Sequence, residues 1–414
     1  MSPLTITHNK ILNAFKHIAL ALPLAAAFAF STNIGRAQNV DLSKSDPKQV
    51  ATPMDNGLCN KLVGLGKLYR DDSNPFVEEF DITGRFQLDY YHVDADSGIP
   101  SKYSDASFLE IRRFRLGEDA WFADRHLEIK ADLDTNLDSR KATRVFYNRM
   151  TNLFANFVVD DAFKLKVGKY EPHFGYDREV SDTLQPFFER SFFDDQVFGH
   201  PANDYVTGAS AYGTIGHFGY LGGMFSDNVN KEFGTFNGGQ SYLGEINYDF
   251  KSALSIDKAL WTLDYMHMAG LSAHTNVFNT MHNALATYFD CKRGPIGLVT
   301  QFGYGNGVAS KGDIYDLMIM PTYDVTDKLQ AEARYALGLG TEANSITILN
   351  RQESQAAKGT GSTINSLYLG MNYFICGYNL RLMAGVQYDH LSGGTGAHAN
   401  FDGWTPLVGL RTFF

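Results

Sequence analysis

The stretch HLEIKADLD, residues 126–134, indicates an all-β fold. Its apolar and charged residues alternate one by one, so the two faces of a single strand would be apolar and charged. Such a strand suits a soluble β-sandwich only if the charged face meets bulk water. It suits a membrane barrel equally well, with lipid outside and water inside. The stretch FDITGRFQLDY, residues 80–90, alternates in the same way.

Sixteen segments of this kind follow one another along the chain. Their approximate bounds are 80–93, 108–121, 125–135, 150–160, 163–170, 203–213, 216–226, 240–250, 258–269, 281–290, 295–305, 313–323, 328–338, 365–375, 379–390 and 404–414. The connections between them alternate long and short, as in membrane barrels, whereas a Greek-key sandwich has no reason to keep this order. We therefore predict an all-β fold, a transmembrane antiparallel β-barrel of 16 strands over residues 80–414, with short periplasmic turns and long external loops.

The last predicted strand contains GWTPLVGLRTFF, residues 403–414. In a closed barrel the last strand has to pair with the first, because an open sheet edge leaves backbone groups unsatisfied in lipid. We therefore expect Phe414 to lie at the seam between strands sixteen and one, near the periplasmic aromatic girdle.

The N-terminal residues have the features of an export signal. Lys10 and Lys16 precede an apolar run from Ile18 to Phe30, and small residues around Arg36 provide a cleavage site. The run is shorter than the roughly 20 residues of a membrane-spanning helix. We expect residues 1–37 to be a signal peptide and residues 38–79 a periplasmic N-terminal segment.

Charge and cysteine content exclude several classes. The formal net charge is −10, and cleavage after Ala37 would remove three basic residues and no acid, giving −13. A nucleic-acid partner bound through a basic surface is therefore not expected. Of the three cysteines, Cys291 and Cys376 lie in predicted turns four strands apart, beyond disulfide reach. Any bridge should involve Cys59.

Signals of an enzyme are weak. GASAYG, residues 208–213, lies within an alternating strand, so it does not fit a nucleophile elbow. The histidines do not cluster at metal-ligand spacing, and GYGNG, residues 303–307, lacks the helix that a phosphate-binding loop needs. We expect no catalytic residues, no metal and no cofactor.

Three stretches, FLEIRRFRLG (108–117), DAFKLKVGKYEPHFG (161–175) and FFERSFF (187–193), resemble the phosphate-selective porin O and P family of Gram-negative outer membranes. The resemblance covers strands two to six. It implies a homotrimeric, multi-pass channel in outer-membrane lipid that carries small ions and hydrophilic solutes, phosphate among them. The final phenylalanine is similar to the signal by which outer-membrane barrels engage the barrel assembly machinery, which implies that role for Phe414.

Several basic residues have the phase of inward-facing positions on strands that barrel closure makes contiguous. They are Arg85, Arg113, Arg115, Lys130, Arg381 and Arg411. Guanidinium groups bind phosphate bidentately, so this basic strip could form an anion path, and the family resemblance implies an arginine ladder. The alternative is ordinary cross-strand pairing with neighbouring carboxylates such as Asp89, Asp132 and Asp134. Both interpretations remain open from the sequence.

The longest predicted loop, 171–202, is rich in aromatic residues that a free loop could not leave in water. We expect it to fold into the lumen and form the constriction, with Phe187, Phe188 and Phe192 buried and with Glu189, Arg190 and Ser191 bonded to the barrel wall. The alternative is a loop packed on a neighbouring subunit or on the outer rim.

Together these features predict an outer-membrane porin for passive diffusion of small hydrophilic solutes, with anion or phosphate preference through the arginine strip. Two alternatives remain: a non-selective general porin, and a sealed structural barrel that tethers the outer envelope. The sequence does not choose the solute.

Overall fold

The computed structural model describes residues 57–95, 105–137, 144–198, 205–226, 232–237, 239–269, 281–307, 311–348, 352–353, 359–396 and 399–414. The predicted signal peptide and the first part of the predicted periplasmic segment lie outside these residues. Within the described part of the chain, no helix is long and apolar enough to cross a membrane.

Sixteen antiparallel strands form one closed sheet. In chain order they are β1 Val77–Ala95, β2 Asp105–Phe122, β3 Leu127–Asn136, β4 Val145–Val158, β5 Lys164–Tyr170, β6 Val206–Ile215, β7 Phe218–Ser226, β8 Gln240–Asp249, β9 Lys258–Ala269, β10 Met281–Arg293, β11 Ile296–Gly307, β12 Ile314–Thr326, β13 Leu329–Gly340, β14 Thr363–Phe374, β15 Leu380–Ser392 and β16 Phe401–Phe413. Each strand pairs with the next, and β16 pairs with β1. The predicted sixteen-stranded barrel is confirmed, and the connections alternate long and short as expected.

The strands carry apolar side chains on their outer face and polar ones inside. In β14 the exposed side chains are Leu367, Leu369, Met371 and Tyr373, and the buried ones between them include Ser366, Tyr368 and Asn372. A water-soluble sheet has the opposite arrangement. An outward apolar band is what strands in contact with lipid require.

The seam between β16 and β1 continues to the last residue. Phe414 and Gly84 exchange two backbone hydrogen bonds, with N···O distances of 3.0 and 3.1 Å. Gly84 leaves room for the Phe414 ring, because a Cβ at residue 84 would lie 2.2 Å from the ring Cζ. This is the pairing that the sequence predicts for Phe414.

β1 extends beyond the end of β16, and a short strand covers the edge that is left. Lys67–Arg70 pairs antiparallel with residues 79–81 of β1, next to the position of Phe414. This short strand therefore satisfies backbone groups that β16 does not reach.

The helix Gly57–Gly64 precedes the short strand and is fastened to the barrel by a disulfide. Cys59 is bonded to Cys376 in the turn between β14 and β15, with a Cα–Cα distance of 5.3 Å. Cys291 is free and buried. The expectation that a bridge would involve Cys59, and would not join Cys291 to Cys376, is confirmed.

Candidate functional site: arginines around an inserted loop

Residues 171–198, which we call the inserted loop, follow β5 and lie inside the barrel. Their side chains and backbone contact strands on several sides of the closed sheet, among them Arg85 of β1, Asp264 of β9 and Tyr368 of β14. A segment that touches several sides of a barrel has to occupy its lumen. This is the position that the aromatic content of loop 171–202 led us to expect.

Glycine is required where the loop turns into the lumen. Gly175 has φ 66°, a conformation that glycine adopts at little cost, and it precedes the short helix Tyr176–Glu179. Its amide donates to Asp264 Oδ2 at 2.7 Å, and a Cβ there would lie 3.1 Å from Gln301 Oε1. The loop backbone is thus held against β9 and β11.

Phenylalanine rings of the loop rest on glycines of the barrel wall. A Cβ at Gly303, Gly338 or Gly409 would lie 2.5, 2.3 or 2.6 Å from the rings of Phe193, Phe192 and Phe188, respectively. Phe187 packs edge-on against Tyr368, with centroids 5.3 Å apart. Of the residues assigned to the constriction loop, Phe187 and Phe188 are buried and Phe192 is half-buried.

Three arginines of the predicted basic strip meet at one carboxylate of the loop. Asp182 pairs with Arg85, with Arg113 Nε at 3.1 Å and with Arg115 Nη1 at 3.6 Å. Burial opposes ionisation of Asp182, but these guanidinium groups outweigh it and hold the pKa of the carboxyl well below its ordinary value. Arg115 also contacts Asp134, at 3.3 Å, so the three guanidinium groups meet two carboxylates and positive charge is in excess. We call this point the Asp182 hub.

A fourth arginine, Arg112, also reaches the loop. Strict alternation would place it on the outer face, opposite Arg113. A β-bulge between β1 and β2 changes the phase, because Gln87 pairs with Arg113 while Leu88 pairs with Ile111. Arg112 therefore also points into the lumen, where Nη2 donates to Glu189 Oε2 at 2.8 Å.

The signal that identifies Arg112 in the sequence is the Arg112–Arg113 pair itself. Alternation would put one guanidinium into lipid, which costs about 2–4 kcal/mol near the middle of a barrel strand. A bulge removes this cost. Sequence reasoning based on strict alternation missed Arg112.

Arginines of β13 and β15, on the other side of the seam from β2, bind the backbone of the loop. Arg334 Nη1 donates to the Glu189 carbonyl oxygen at 2.8 Å, and Arg381 Nη2 donates to the Gln185 carbonyl oxygen at 2.5 Å. Arg334 was not among the predicted site residues. Its guanidinium lies over the Phe187 ring, 4.8 Å from the centroid, and Arg411 lies over Phe188 at 5.2 Å.

Other members of the strip form the cross-strand pairs that were the alternative interpretation. Arg411 binds Asp89 of the neighbouring strand, with Nη2 3.0 Å from Oδ2. Lys130 lies directly opposite Asp119, with Nζ 3.0 Å from Oδ2, and Arg115 also contacts Asp134. The predicted strip is therefore divided between contacts to the loop and contacts within the wall.

The anchoring of residues 189–191 differs from the expectation. Glu189 reaches the wall through Arg112, but Ser191 donates from both its amide and its hydroxyl to Asp177 of the same loop, at 2.9 and 2.6 Å. Arg190 pairs with Glu171 at the start of the loop. These two side chains hold the loop in shape, since their partners Glu171 and Asp177 lie in the first part of the same loop.

The comparisons with known proteins agree with this architecture. Residues 80–247 match the family model described as phosphate-selective porin O and P. A comparison with curated proteins found no match.

Solved structures similar to this chain are outer-membrane barrels. The anion-selective porin from Comamonas acidovorans has 13% identity and a TM-score of 0.55, over 81% of this chain and 99% of its own. OprB of Pseudomonas putida in its high-pH structure has 14% identity and a TM-score of 0.56, over 86% and 96%. OmpF of Salmonella typhi has 13% identity and a TM-score of 0.56, over 84% and 100%. At these identities the likeness concerns the fold.

The matched region runs from β1 to β8 and includes the paired arginines, the inserted loop and its FFERSFF turn, which carried the resemblance in the sequence. Over residues 80–247, about two fifths of the chain, the protein is therefore similar to the phosphate-selective porin O and P family.

Proposed function

We propose that this protein is an outer-membrane porin through which small hydrophilic solutes diffuse passively, with a preference for anions such as phosphate. The family match and the porin barrel support the channel function. The observation that carries the anion preference is the Asp182 hub, where three guanidinium groups share one loop carboxylate.

The preference follows from the position of these charges. A lumen bounded by low-dielectric walls focuses the field of each unpaired charge, so a local excess of positive charge attracts anions more strongly than in bulk water. Arg85 keeps 21% of its side-chain surface exposed, so its guanidinium can still meet a solute. Guanidinium groups also match phosphate oxygens in geometry, which favours phosphate over a spherical ion.

A general porin is the second candidate, and a specific observation favours it. Arg411, Lys130 and Arg115 each pair with a wall carboxylate, and Arg112 pairs with Glu189. If the arginines only hold the loop in place, the channel would not distinguish anions from cations. A sealed structural barrel, the third possibility, would pass no ions.

The deciding experiment is the reversal potential of the purified protein in a planar bilayer, under a gradient of KCl and then of potassium phosphate. We expect anion preference in the wild type. Arg85→Gln combined with Arg113→Gln should move the reversal potential towards cation preference while conductance persists. The shift should shrink near 1 M salt, where the screening length is about 3 Å.

The matched control is Arg125→Gln. Arg125 also pairs with a carboxylate, Glu79, but at the end of the barrel where the short turns lie. Lys311, in the connection between β11 and β12, is unsuitable as a control because its Nζ donates to Gln196 Oε1 of the inserted loop at 3.2 Å. Equal shifts in the hub and control variants would rule out the anion path, and absence of current would rule out the channel.

We further propose that the chain is exported by its N-terminal signal and resides in the Gram-negative outer membrane as a homotrimer, surrounded by lipid. Phe414 would engage the barrel assembly machinery, and the protein would have no enzymatic activity. The apolar outer face of strands such as β14 supports contact with lipid. Recovery in the outer-membrane fraction, with the subunit number measured by light scattering, tests this proposal.

A further inference from the structure

A group of three metal-binding side chains lies where the inserted loop meets the wall. His173, Glu179 and Glu245 place one donor atom each within 4.8 Å of one another. His173 and Glu179 belong to the loop, and Glu245 belongs to β8. Their spacing along the chain gives no hint of a cluster, and only the fold brings them together. It is the one group of this kind in the described part of the chain.

A third carboxylate adjoins the group. Asp264 of β9 pairs directly with Glu245 across the sheet, so their side chains share the inner face. Asp264 is 2% exposed and feels the charges of both Glu245 and Glu179. Its Oδ2 accepts from the Gly175 amide, whereas Oδ1 is buried without a hydrogen-bond partner. A buried carboxylate oxygen without a partner beside two further carboxylates is costly unless a proton or a cation compensates its charge.

The geometry suits a small divalent metal ion. An ion with bonds of about 2.0–2.1 Å in tetrahedral geometry separates its ligand atoms by roughly 3.3 Å. His173 Nδ1 and Glu179 Oε2 are 3.1 Å apart, close to that separation. Their side chains are 38% and 27% exposed, so an ion can reach the site from the lumen.

We propose that His173, Glu179 and Glu245 bind a divalent transition-metal ion of the zinc type, with Asp264 as a neighbouring carboxylate that adds negative charge beside Glu245. One imidazole with two carboxylates is a donor set that zinc accepts, with a position left for water. The ion replaces the proton that Nδ1 shares with Glu179. It then ties the start of the inserted loop to β8 and complements the Asp182 hub, which holds the middle of the loop to β1 and β2. This proposal does not depend on the solute that the channel carries.

Two lysines act on the site from outside it. Lys258 acts electrostatically on Glu179, but its Nζ pairs with Asp290 Oδ2 at 2.6 Å. Lys166 acts electrostatically on both His173 and Glu179. Its Nζ lies over the rings of Phe154 and Tyr170, 4.7 and 5.3 Å from their centroids, so aromatic faces hold the ammonium group. The three carboxylates of Glu179, Glu245 and Asp264 outnumber these two ammonium groups.

Zinc titration of the full-length folded protein tests the proposal. After removal of metals with a chelator, Zn²⁺ is added in competition with a chromophoric chelator. We expect one ion per chain in the wild type. His173→Gln and Glu245→Gln should each weaken binding at least tenfold, whereas His217→Gln should not change it. His217 is the matched control because it is half-buried in the turn between β6 and β7 and packs near Tyr248.

A second measurement keeps the test decisive if one variant fails to fold. Crystals grown with Zn²⁺ should show an anomalous peak at the zinc edge between His173 and Glu245, and the peak should be lost in Glu179→Gln. Heat-modifiable migration on a gel checks that each variant is folded. No zinc uptake by the wild type, or equal uptake by the wild type, His173→Gln and Glu245→Gln, would overturn the proposal.

Discussion

Arg112 shows how a single residue can depart from the pattern of its strand for a physical reason. Alternation assigns Arg112 and Arg113 to opposite faces, but the bulge in β2 turns both towards the lumen. The Arg112 and Glu189 side chains are 9% and 13% exposed, so this ion pair is largely removed from water. Breaking a buried pair by removing one partner leaves the other charge uncompensated.

We predict a strong coupling between these two residues. Arg112→Ala and Glu189→Ala should each lower the free energy of unfolding by about 3–5 kcal/mol, and the double variant should lose much less than the sum. Arg125→Ala with Glu79→Ala is the control cycle, because Arg125 is 40% exposed and the coupling of such pairs is about 0–1 kcal/mol. Urea unfolding in lipid vesicles measures both cycles. Additive losses for Arg112 and Glu189 would contradict the role of this pair.

At the scale of elements, the inserted loop and the barrel wall fit each other through glycines. The aromatic residues of the loop predict burial in the lumen, because so much apolar surface cannot remain in water. Which strands receive the rings depends on Gly303, Gly338 and Gly409, which lie on three different strands and have no feature in the sequence that marks them as partners.

We predict that Gly338→Ala loosens the loop. Its added Cβ would lie 2.3 Å from the Phe192 ring and 2.7 Å from Ile364, so the ring has to move. Overpacking of this kind costs about 1–3 kcal/mol. The unfolding midpoint should fall, and single-channel current should become noisier as the loop moves.

Gly244→Ala is the control for this variant, since a Cβ at residue 244 meets nothing within 4 Å. It should leave both the midpoint and the noise unchanged. If the two variants behave alike, the fit between Phe192 and Gly338 does not hold the loop.

At the scale of the whole molecule, the main structural feature is the closure of the sheet. β16 pairs with residues 85–95 of β1, and the short strand Lys67–Arg70 covers residues 79–81 of the same edge. The Cys59–Cys376 bridge fastens the preceding helix to the turn between β14 and β15. Together these contacts leave little of the edge of β1 unpaired, as a barrel in lipid requires.

We predict that Phe414→Ala slows assembly of the barrel. The Phe414 ring fills the space above Gly84 at the seam, so its loss leaves a gap where the sheet closes. Trp404→Ala is the control, because Trp404 lies on the same strand and is 50% exposed. The yield of heat-modifiable protein over time measures assembly. Equal yields would show that the aromatic ring at the seam is dispensable.

The sequence by itself determined the fold class, the number of strands and the inward position of Arg85, Arg113 and Arg115. The reason is that lipid on one side and water on the other impose a period of two on every strand, and the alternation of long and short connections then orders the hairpins. The same reasoning excluded a Cys291–Cys376 bridge. The number of strands between the two cysteines, multiplied by the spacing of neighbouring strands, gives a distance that a disulfide cannot span.

Only the tertiary structure decided how the lumen is arranged. The bulge at Arg112, the meeting of three arginines at Asp182 and the group formed by His173, Glu179 and Glu245 all join residues from distant parts of the chain. Periodicity describes one strand at a time, so it carries no information on which loop side chain meets which wall position. That choice depends on the shape of the closed barrel and on the path of the inserted loop within it.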